Sequence, residues 1–530
     1  MLMQKYFVKC VLALSLVGLL VTLIGCPRGP SKAKWTIIGY IDGNCALDET
    51  PVGSFFIRKV QDMEEVGSTD DVNIIVMVSS KKLGGIAKYY YVEKHLDEPV
   101  DSISSTLLKD MGTVDMSDGS VLADFINYVL GQKEYEAQHY MLILANHGGG
   151  WRGVCWDEIQ DPYGGACITL PELKSTLSSI GKKFDIIAFD ACLMGMCEVA
   201  YEIKDFADYM IASQNVTWAT IDLGYKEWLA SLTAYPNMGA KELAENVAKA
   251  IYNAGVAANM PVVTASIDLS KMSHLGATLH TLMTYLLIQA YGAGIQDARN
   301  NCYVESDAPD FIDLKEFISK VKQEPDVSQV PRIVAEAETL ENVIVDAVPF
   351  KKGNVQYPRN GLSIYFPISR QHYTATDSAN YEKLSFIETA WHNFIAAYVR
   401  AFGGAAQTTV SGTVTWPGHT LSSNTYAFLD TSHTQYIIPM VIVPVDPTTG
   451  AYNISVSIQA PLETYIEAWD DVNGNQTVDQ GDGLGWYDAN GNGEWDDMLT
   501  INPGQTLTGI TITLYTVTGK QKIKKGKSVP

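Results

Sequence analysis

The chain has 530 residues, 46% hydrophobic and 18% charged, so it is long enough for at least two folded domains and too apolar for a disordered protein. Its formal net charge of −22 at pH 7 argues against nucleic acid as a partner, because phosphate binding requires clustered Lys and Arg. A run of lysines within residues 517–530 is the exception, and at a chain end it indicates a solvated basic tail.

Residues 1–25 have the pattern of a signal peptide for export. Two lysines precede an apolar run that is too short to span a membrane comfortably. The run closes on Leu-Ile-Gly-Cys, which resembles the bacterial lipobox and would make Cys26 the lipidated first residue of the mature chain. Ordinary cleavage near Gly25, or an uncleaved anchor, is the alternative. A lipid at Cys26 and a tether over 26–34 predict an exported protein anchored to a bacterial membrane, cell envelope or surface.

Between residues 35 and 402, short apolar runs alternate with longer amphipathic stretches. This alternation predicts an α/β domain with a largely parallel sheet flanked by helices. In such sheets the chemistry lies in the crevice at the carboxyl ends of the strands, so the residues after each apolar run are the candidates. Strands are predicted at 35–41, 72–78, 140–145 and 184–189.

The first candidate is the segment Asn-His-Gly-Gly-Gly-Trp (146–151), which follows the strand predicted at 140–145. The strand would deliver His147 to its carboxyl end. The glycines, which lack Cβ, would let a substrate backbone approach closely and would present free N–H groups. Taken alone, the segment is equally well explained by a histidine in a turn.

The second candidate is the segment Asp-Ala-Cys-Leu-Met (190–194), which is followed by a helical pattern over 195–203. Cys192 is thereby predicted at a strand-to-helix junction, where a helix N-terminus lowers the pKa of a thiol. A buried core cysteine is the alternative, and we prefer that interpretation for Cys197. A Cys and a His at the ends of neighbouring strands would supply a nucleophile and a general base.

The order of these residues, His first and Cys second, is similar to that in caspases, gingipains and legumains. The closer resemblance is to the clostripain family and covers nearly all of residues 34–400. It implies a caspase-like fold and a cysteine endopeptidase that acts on proteins or peptides through an acyl-enzyme, with no cofactor required for the chemistry. The matching segments are Trp-Thr (35–36), 146–151, Pro-Glu-Leu (171–173), 190–194 with Glu198, and Gly-Leu-Ser-Ile-Tyr-Phe-Pro (361–367).

The resemblance also implies roles for individual residues. His147 would take the proton of Cys192 and later give it to the leaving amine, while the backbone N–H groups of Gly148 and Cys192 would form the oxyanion hole. Asp190 matches the family carboxylate associated with binding a P1 Arg or Lys, which requires charge pairing in a partly desolvated pocket. Capping of the following helix by Asp190 is an alternative that does not exclude this role.

Two departures from the family pattern concern specificity and maturation. The family tends to have an acidic Ser-Glu stretch where this chain has Ser-Gln-Asn-Val (213–216), so the P1 preference would be weaker or different. Some members cut themselves between the His and Cys strands, but Arg152 is the only basic residue over 148–173. Self-cleavage is therefore a hypothesis here. In the same region, an oxidising compartment would permit Cys155 to pair with Cys167.

The sequence changes after a linker at 403–409, where Thr- and Val-rich alternating runs predict an all-β sandwich over 410–516. Two of its loops place oxygen side chains at alternate positions, as a calcium loop does, although neither is a complete EF-hand. Plain Asx-turn loops are the alternative. The strand runs are 410–415, 436–443, 452–458 and 506–514, and the candidate calcium ligands are Asp471, Asn473, Asn475, Asp479, Asp488, Asn490, Asn492 and Asp496.

The chain lacks the motifs of other enzyme classes. A serine hydrolase with an oxyanion loop like 147–150 would need a G-x-S-x-G elbow, and the chain contains none. The P-loop fingerprint of nucleotide-binding enzymes is also missing. The remaining rival is a catalytically silent, peptidase-like surface protein used for binding or adhesion.

Overall fold

The computed structural model describes residues 32–48, 53–159, 166–217, 223–288, 292–305, 307–355, 359–369, 372–402, 406–430, 441–458, 462–474, 478–493, 497–502 and 504–518. The predictions for the signal peptide, Cys26, Asn475, Asp496 and the tail beyond 518 lie outside these residues.

The larger domain alternates strands and helices. Its strands are β1 (Ala33–Ile41), β2 (Val72–Val78), β3 (Ile86–Tyr91), β4 (Thr106–Thr113), β5 (Ala137–Ala145), β6 (Val154–Asp157), β7 (Ala166–Ile168), β8 (Phe184–Asp190), β9 (Ala207–Ala212), β10 (Val263–Asp268), β11 (Val304–Glu305), β12 (Ala308–Asp313), β13 (Phe350–Gly353) and β14 (Ser363–Tyr365). Its helices are α1 (Phe55–Glu64), α2 (Gly119–Gly131), α3 (Leu170–Ile180), α4 (Cys197–Ile203), α5 (Tyr225–Ala234), α6 (Ala240–Ala257), α7 (Met272–Ile288), α8 (Gly292–Asn300), α9 (Leu314–Val321), α10 (Pro325–Ser328), α11 (Pro331–Ala347), α12 (Ala375–Tyr381) and α13 (Trp391–Phe402).

The central sheet of the described chain has the strand order β13-β10-β9-β8-β5-β1-β2-β3-β4. Its five inner strands, β9, β8, β5, β1 and β2, are parallel, and antiparallel strands flank them on both sides. The register pairs Ile41 with Ala145, and Ala145 with Asp190, so β1, β5 and β8 end at the same edge. The predicted largely parallel sheet is confirmed, including all four predicted strands.

Helices cover both faces of this sheet, which explains why its strands are apolar without alternation. In β8, Ile187 and Phe189 pack into one core, whereas Ile186 and Ala188 pack into the other. The second core is closed by α1, α5 and α6, and the first by helices that include α2, α3 and α7. Smaller sheets, β6 with β7 and β11-β12-β14, lie outside the main one.

The C-terminal domain is all-β, as predicted. Its described strands follow the order β17-β16-β19-β20-β22-β15-β18, with β21 paired to β19, and only β15 with β22 is parallel among these pairs. Alternating side chains such as Val410, Ile454, Ile466 and Ile512 form one core. The strands are β15 (Ala406–Thr415), β16 (Thr425–Asp430), β17 (Val441–Pro444), β18 (Ala451–Ile458), β19 (Leu462–Asp470), β20 (Gly483–Trp486), β21 (Leu499–Ile501) and β22 (Thr506–Thr516).

None of the helices in the described residues is both long and apolar enough to cross a bilayer.

Candidate active site

The loop after β5 fixes His147 at the carboxyl end of that strand. The Asn146 side chain donates to the Asp42 carbonyl at 2.6 Å and accepts from the Trp156 N–H at 2.8 Å. The His147 carbonyl accepts from the Cys155 N–H at 3.2 Å, which joins the loop to β6. The backbone on both sides of the imidazole is therefore held by hydrogen bonds.

The loop after β8 carries Cys192 and runs beside the segment that follows β9. The Leu193 N–H donates to the Asn215 carbonyl at 3.1 Å, and the Gly195 N–H donates to the Ser213 carbonyl at 2.7 Å. These bonds and the positive φ of Leu193 (64°) keep the backbone out of helical geometry. The helix consequently begins at Cys197, two residues after the start of the helical pattern predicted over 195–203.

The Cys192 thiol contacts Thr217 instead of a helix end. The Thr217 N–H donates to Sγ at 3.3 Å, and the Thr217 carbonyl lies 3.3 Å from Sγ as an acceptor for the S–H. The backbone of Thr217 thus fixes the position of Sγ. Among the described residues, Sγ makes no hydrogen bond to His147; such bonds are often long before substrate binds.

The His and Cys loops touch at Gly148. A Cβ added to Gly148 would lie 2.1 Å from the Cys192 carbonyl oxygen and 3.0 Å from Met194 Sδ, so no other residue fits without moving the backbone. Within the described chain, neither the Gly148 N–H nor the Cys192 N–H donates a hydrogen bond. Two N–H groups without an acceptor among the described residues therefore lie on backbone segments that are in contact, and oxyanion holes are built from such groups.

The electrostatic environment of His147 favours the neutral ring. Burial lowers the pKa of His147, and the nearby Glu158 carboxylate opposes that shift. Glu158 Oε1 lies 4.0 Å from His147 Nε2, while its Oε2 accepts from the Ala46 N–H at 2.8 Å and from Lys81 Nζ at 3.2 Å. A half-buried neutral imidazole can accept a proton at neutral pH. Sequence reasoning missed Glu158, because its proximity to His147 depends on how the chain folds around β6.

The Asp190 carboxylate is already paired within the chain. Lys59 Nζ lies 2.7 Å from Asp190 Oδ2, and the Tyr225 hydroxyl donates to the same oxygen at 2.9 Å. The side chains of Lys59 and Asp190 are each only 7% exposed. Asp190 does not cap the following helix, whose N-cap is Met196. Sequence reasoning missed Lys59, although a lysine among the apolar positions of an amphipathic helix was a usable signal.

The departure at 213–216 has a structural reason. Gln214 Nε2 donates to Asp313 Oδ2 at 3.1 Å, and Gln214 Oε1 accepts from the Gly361 N–H at 2.7 Å. A glutamate at this buried position would face Asp313 with a second carboxylate and would lose one of the two bonds. The amide thus holds the segment beside Cys192 against β12 and the chain before β14.

The two cysteines of the hairpin β6–β7 are free thiols, so the structure does not contain the Cys155–Cys167 pair that an oxidising compartment would permit. Burial raises the pKa of Cys167 to about 11, with a smaller contribution from Glu172. The Cys167 thiol therefore stays protonated at neutral pH and is a poor nucleophile.

Two carboxylates of the candidate calcium loops, those of Asp479 and Asp488, accept hydrogen bonds from their own loops. Asp488 accepts from the N–H groups of Asn492 and Gly493, at 3.2 and 2.8 Å, and Asp479 accepts from the Asn473 amide at 3.0 Å. Asn490 forms an Asx turn, because its Oδ1 accepts from the Asn492 N–H two residues on, at 2.9 Å. Within the part of the chain that the structure describes, no group of three His, Cys, Asp or Glu side chains could hold a metal ion.

Comparisons with known proteins agree with the fold and the motifs. A profile of the clostripain family of peptidases matches residues 50–398. Clostripain of Hathewaya histolytica is 40% identical over 119 residues, an alignment that covers 19% of this chain and only 22% of that protein.

Two solved structures share the fold with this chain. An inactive zymogen C11 protease from Parabacteroides distasonis superposes with a TM-score of 0.50 at 19% identity, over 68% of this chain and 99% of that one. A secreted C11 cysteine protease from Bacteroides thetaiotaomicron, solved with an irreversible peptide inhibitor, superposes with a TM-score of 0.51 at 20% identity over the same shares. At these identities the likeness establishes the fold alone.

Proposed function

Since the chain belongs to the clostripain family of peptidases, we propose that it is a cysteine endopeptidase in which Cys192 is the nucleophile and His147 the general base. The observation that carries this proposal is the contact between the two loops at Gly148, which brings the ends of β5 and β8 together. The alternative, a catalytically silent surface protein used for binding or adhesion, is less favoured. It assigns no role to the two free N–H groups or to the solvent-accessible thiol beside them.

In the proposed mechanism, His147 removes the proton from Cys192 Sγ, and the thiolate attacks the scissile carbonyl carbon. The N–H groups of Gly148 and Cys192 stabilise the oxyanion that forms. His147 then gives its proton to the leaving amine, which leaves an acyl-enzyme on Sγ. Water, deprotonated by His147, hydrolyses the thioester and regenerates the thiol. No cofactor takes part in these steps.

The proposed substrates are proteins or peptides cleaved after Arg or Lys, with Asp190 as the P1-binding residue. Asp190 lies two residues before the nucleophile, at the edge where β5 and β8 end. Its Oδ2 receives both of its side-chain hydrogen bonds, while Oδ1 receives none from the described residues. Oδ1 is therefore the atom that a P1 cation would contact.

The proposed location is the exterior of a bacterial cell, with a lipid at Cys26 as the anchor. Mass spectrometry of the membrane fraction tests this, since a diacylglyceryl group on Cys26 adds a defined mass that Cys26→Ser removes. A mature N-terminus at a residue other than Cys26 would contradict the anchor.

Calcium binding by the C-terminal loops is a separate prediction. The described ligands are Asp471, Asn473, Asp479, Asp488, Asn490 and Asn492. Binding to the folded state would raise the melting temperature of chelator-treated protein when calcium is added. An unchanged melting temperature would favour the Asx-turn interpretation.

The deciding experiment for the enzyme is hydrolysis of fluorogenic peptides with P1 Arg, Lys, Ala or Asp. We expect Cys192→Ala and His147→Ala to lose at least about a thousandfold in kcat/KM, because each removes a whole step of the mechanism. Cys167→Ala and His139→Ala are matched controls, since His139 lies at the opposite end of β5 and pairs with Asp185 at 2.7 Å. Cleavage that survives Cys192→Ala would overturn the proposed nucleophile.

A further inference from the structure

The buried ion pair between α1 and β8 lies beside the proposed dyad and has no part in the chemistry described above. Lys59 Nζ is 2.7 Å from Asp190 Oδ2, and both side chains are 7% exposed. Asp190 shares its face of the sheet with Ile186 and Ala188, on the side covered by α1, α5 and α6. Lys59 therefore reaches the carboxylate from α1, on the helix-covered face of the sheet.

Burial makes this pair consequential for substrate binding. An unpaired carboxylate in such a position would gain strongly from a P1 guanidinium or ammonium, because it would otherwise be desolvated without a partner. With Lys59 in place, the ion pair contributes no net charge to the site that a P1 side chain would enter. A P1 cation at Oδ1 must also lie within a few ångströms of the Lys59 ammonium, and like charges at that separation repel in a partly desolvated site.

We propose that Lys59 is a specificity-determining residue that competes with the P1 cation for Asp190 and so weakens the preference for Arg and Lys. This inference rests on the proposed function and refines its substrate class: peptides with long uncharged P1 side chains, such as norleucine, are cleaved alongside basic ones. Neutral P1 side chains meet no repulsion from the Lys59 ammonium.

The test compares kcat/KM for matched peptides with P1 Arg and P1 norleucine in wild type, Lys59→Met and Lys59→Gln. Both variants remove the charge, and Lys59→Gln keeps a hydrogen-bond donor in case the methionine variant does not fold. We expect the Arg-to-norleucine ratio to rise at least tenfold in either variant. Lys59→Arg should leave it near the wild-type value, because the pair with Asp190 is retained.

Lys226→Met is the matched control. Lys226 is the residue after Tyr225, and its ion pair with Glu65 is exposed, so its removal should leave the ratio unchanged. An Arg-to-norleucine ratio in the Lys59 variants within twofold of wild type, with activity retained, would overturn the inference.

A binding measurement separates this inference from the proposed function. Agmatine, which carries the arginine side chain without its peptide, is titrated calorimetrically into full-length Cys192→Ala protein with and without Lys59→Met. We expect at least tenfold tighter binding in the double variant. Equal affinities would overturn the role of Lys59 even if proteolysis were demonstrated, whereas tighter binding without any proteolysis would reject the catalytic proposal alone.

Discussion

At the scale of single residues, the site depends on side chains whose neighbours were not apparent from the order of the chain. Burial lowers the pKa of the His147 ring, and the Glu158 carboxylate raises it. The balance decides how much imidazole is neutral near pH 7. Glu158 itself is oriented by Lys81 and the Ala46 N–H, and it touches no reacting atom in the proposed mechanism.

Replacing Glu158 with Gln should lower the pKa of His147, because the imidazolium loses its nearby anion while burial remains. Because the two groups are 4.0 Å apart and both are partly exposed, we expect a modest fall in this pKa. NMR titration of the His147 ring in a Cys192→Ala background measures it directly, with Glu134→Gln as an exposed control. A His147 pKa that does not move would show that Glu158 has no electrostatic role.

At the scale of elements, α4 is tied to its surroundings by a buried acid. Glu198 Oε1 accepts from the Tyr365 N–H and from the Tyr381 hydroxyl, each at 2.8 Å, which joins α4 to β14 and α12. Burial raises the pKa of Glu198 from 4.5 to about 7. The native state therefore keeps a proton that the unfolded chain releases at lower pH.

The sign of the resulting pH dependence follows from this difference. Between pH 4.5 and 7 the native state binds more protons than the unfolded state, so the contribution of Glu198 to stability falls as pH rises. The free energy of unfolding of Glu198→Gln relative to wild type should accordingly increase by about 3 kcal/mol over this window. Urea unfolding at several pH values measures it. Exposed Asp205→Asn should give a flat difference, and a flat difference for Glu198→Gln would refute the assignment.

At the scale of the whole molecule, the structure bears on maturation by self-cleavage at Arg152. The Arg152 guanidinium carbon lies 4.8 Å from the centre of the Trp151 ring, and Arg152 Nη2 lies 3.3 Å from Asp377 Oδ1. The peptide that follows it is folded into the loop, since the Gly153 N–H donates to the Gly150 carbonyl and the Gly153 carbonyl accepts from the Gly149 N–H. A peptidase binds its substrate in an extended conformation, which this bond cannot adopt without local unfolding.

Active enzyme is therefore expected to remain one chain at Arg152. A denaturing gel run during turnover should retain the full-length band, and Arg152→Gln should give the same pattern. Two fragments, one ending at residue 152 and the other beginning at residue 153, would instead establish self-cleavage if Arg152→Gln did not produce them.

Much of this architecture was predictable, because fully buried parallel strands appear as continuous apolar runs. The strands that end before His147 and Cys192 were both found in this way. The start of α4 was not, since the pairing of Leu193 and Gly195 with the chain after β9 overrides a local helical pattern. Lys59 and Glu158 were missed for a related reason: each reaches the site from a distant element, and sequence spacing carries no record of such contacts.

The contact at Gly148 also provides a criterion for classifying other peptidase-like sequences by the residue at this position. Any residue with a Cβ at this position would push the two loops apart by more than a side-chain adjustment can absorb, because the obstructing atom is a backbone oxygen. A peptidase-like sequence with a different residue here must have a different arrangement of its loops. This single letter thus distinguishes chains that retain the geometry described above from chains that have only the fold.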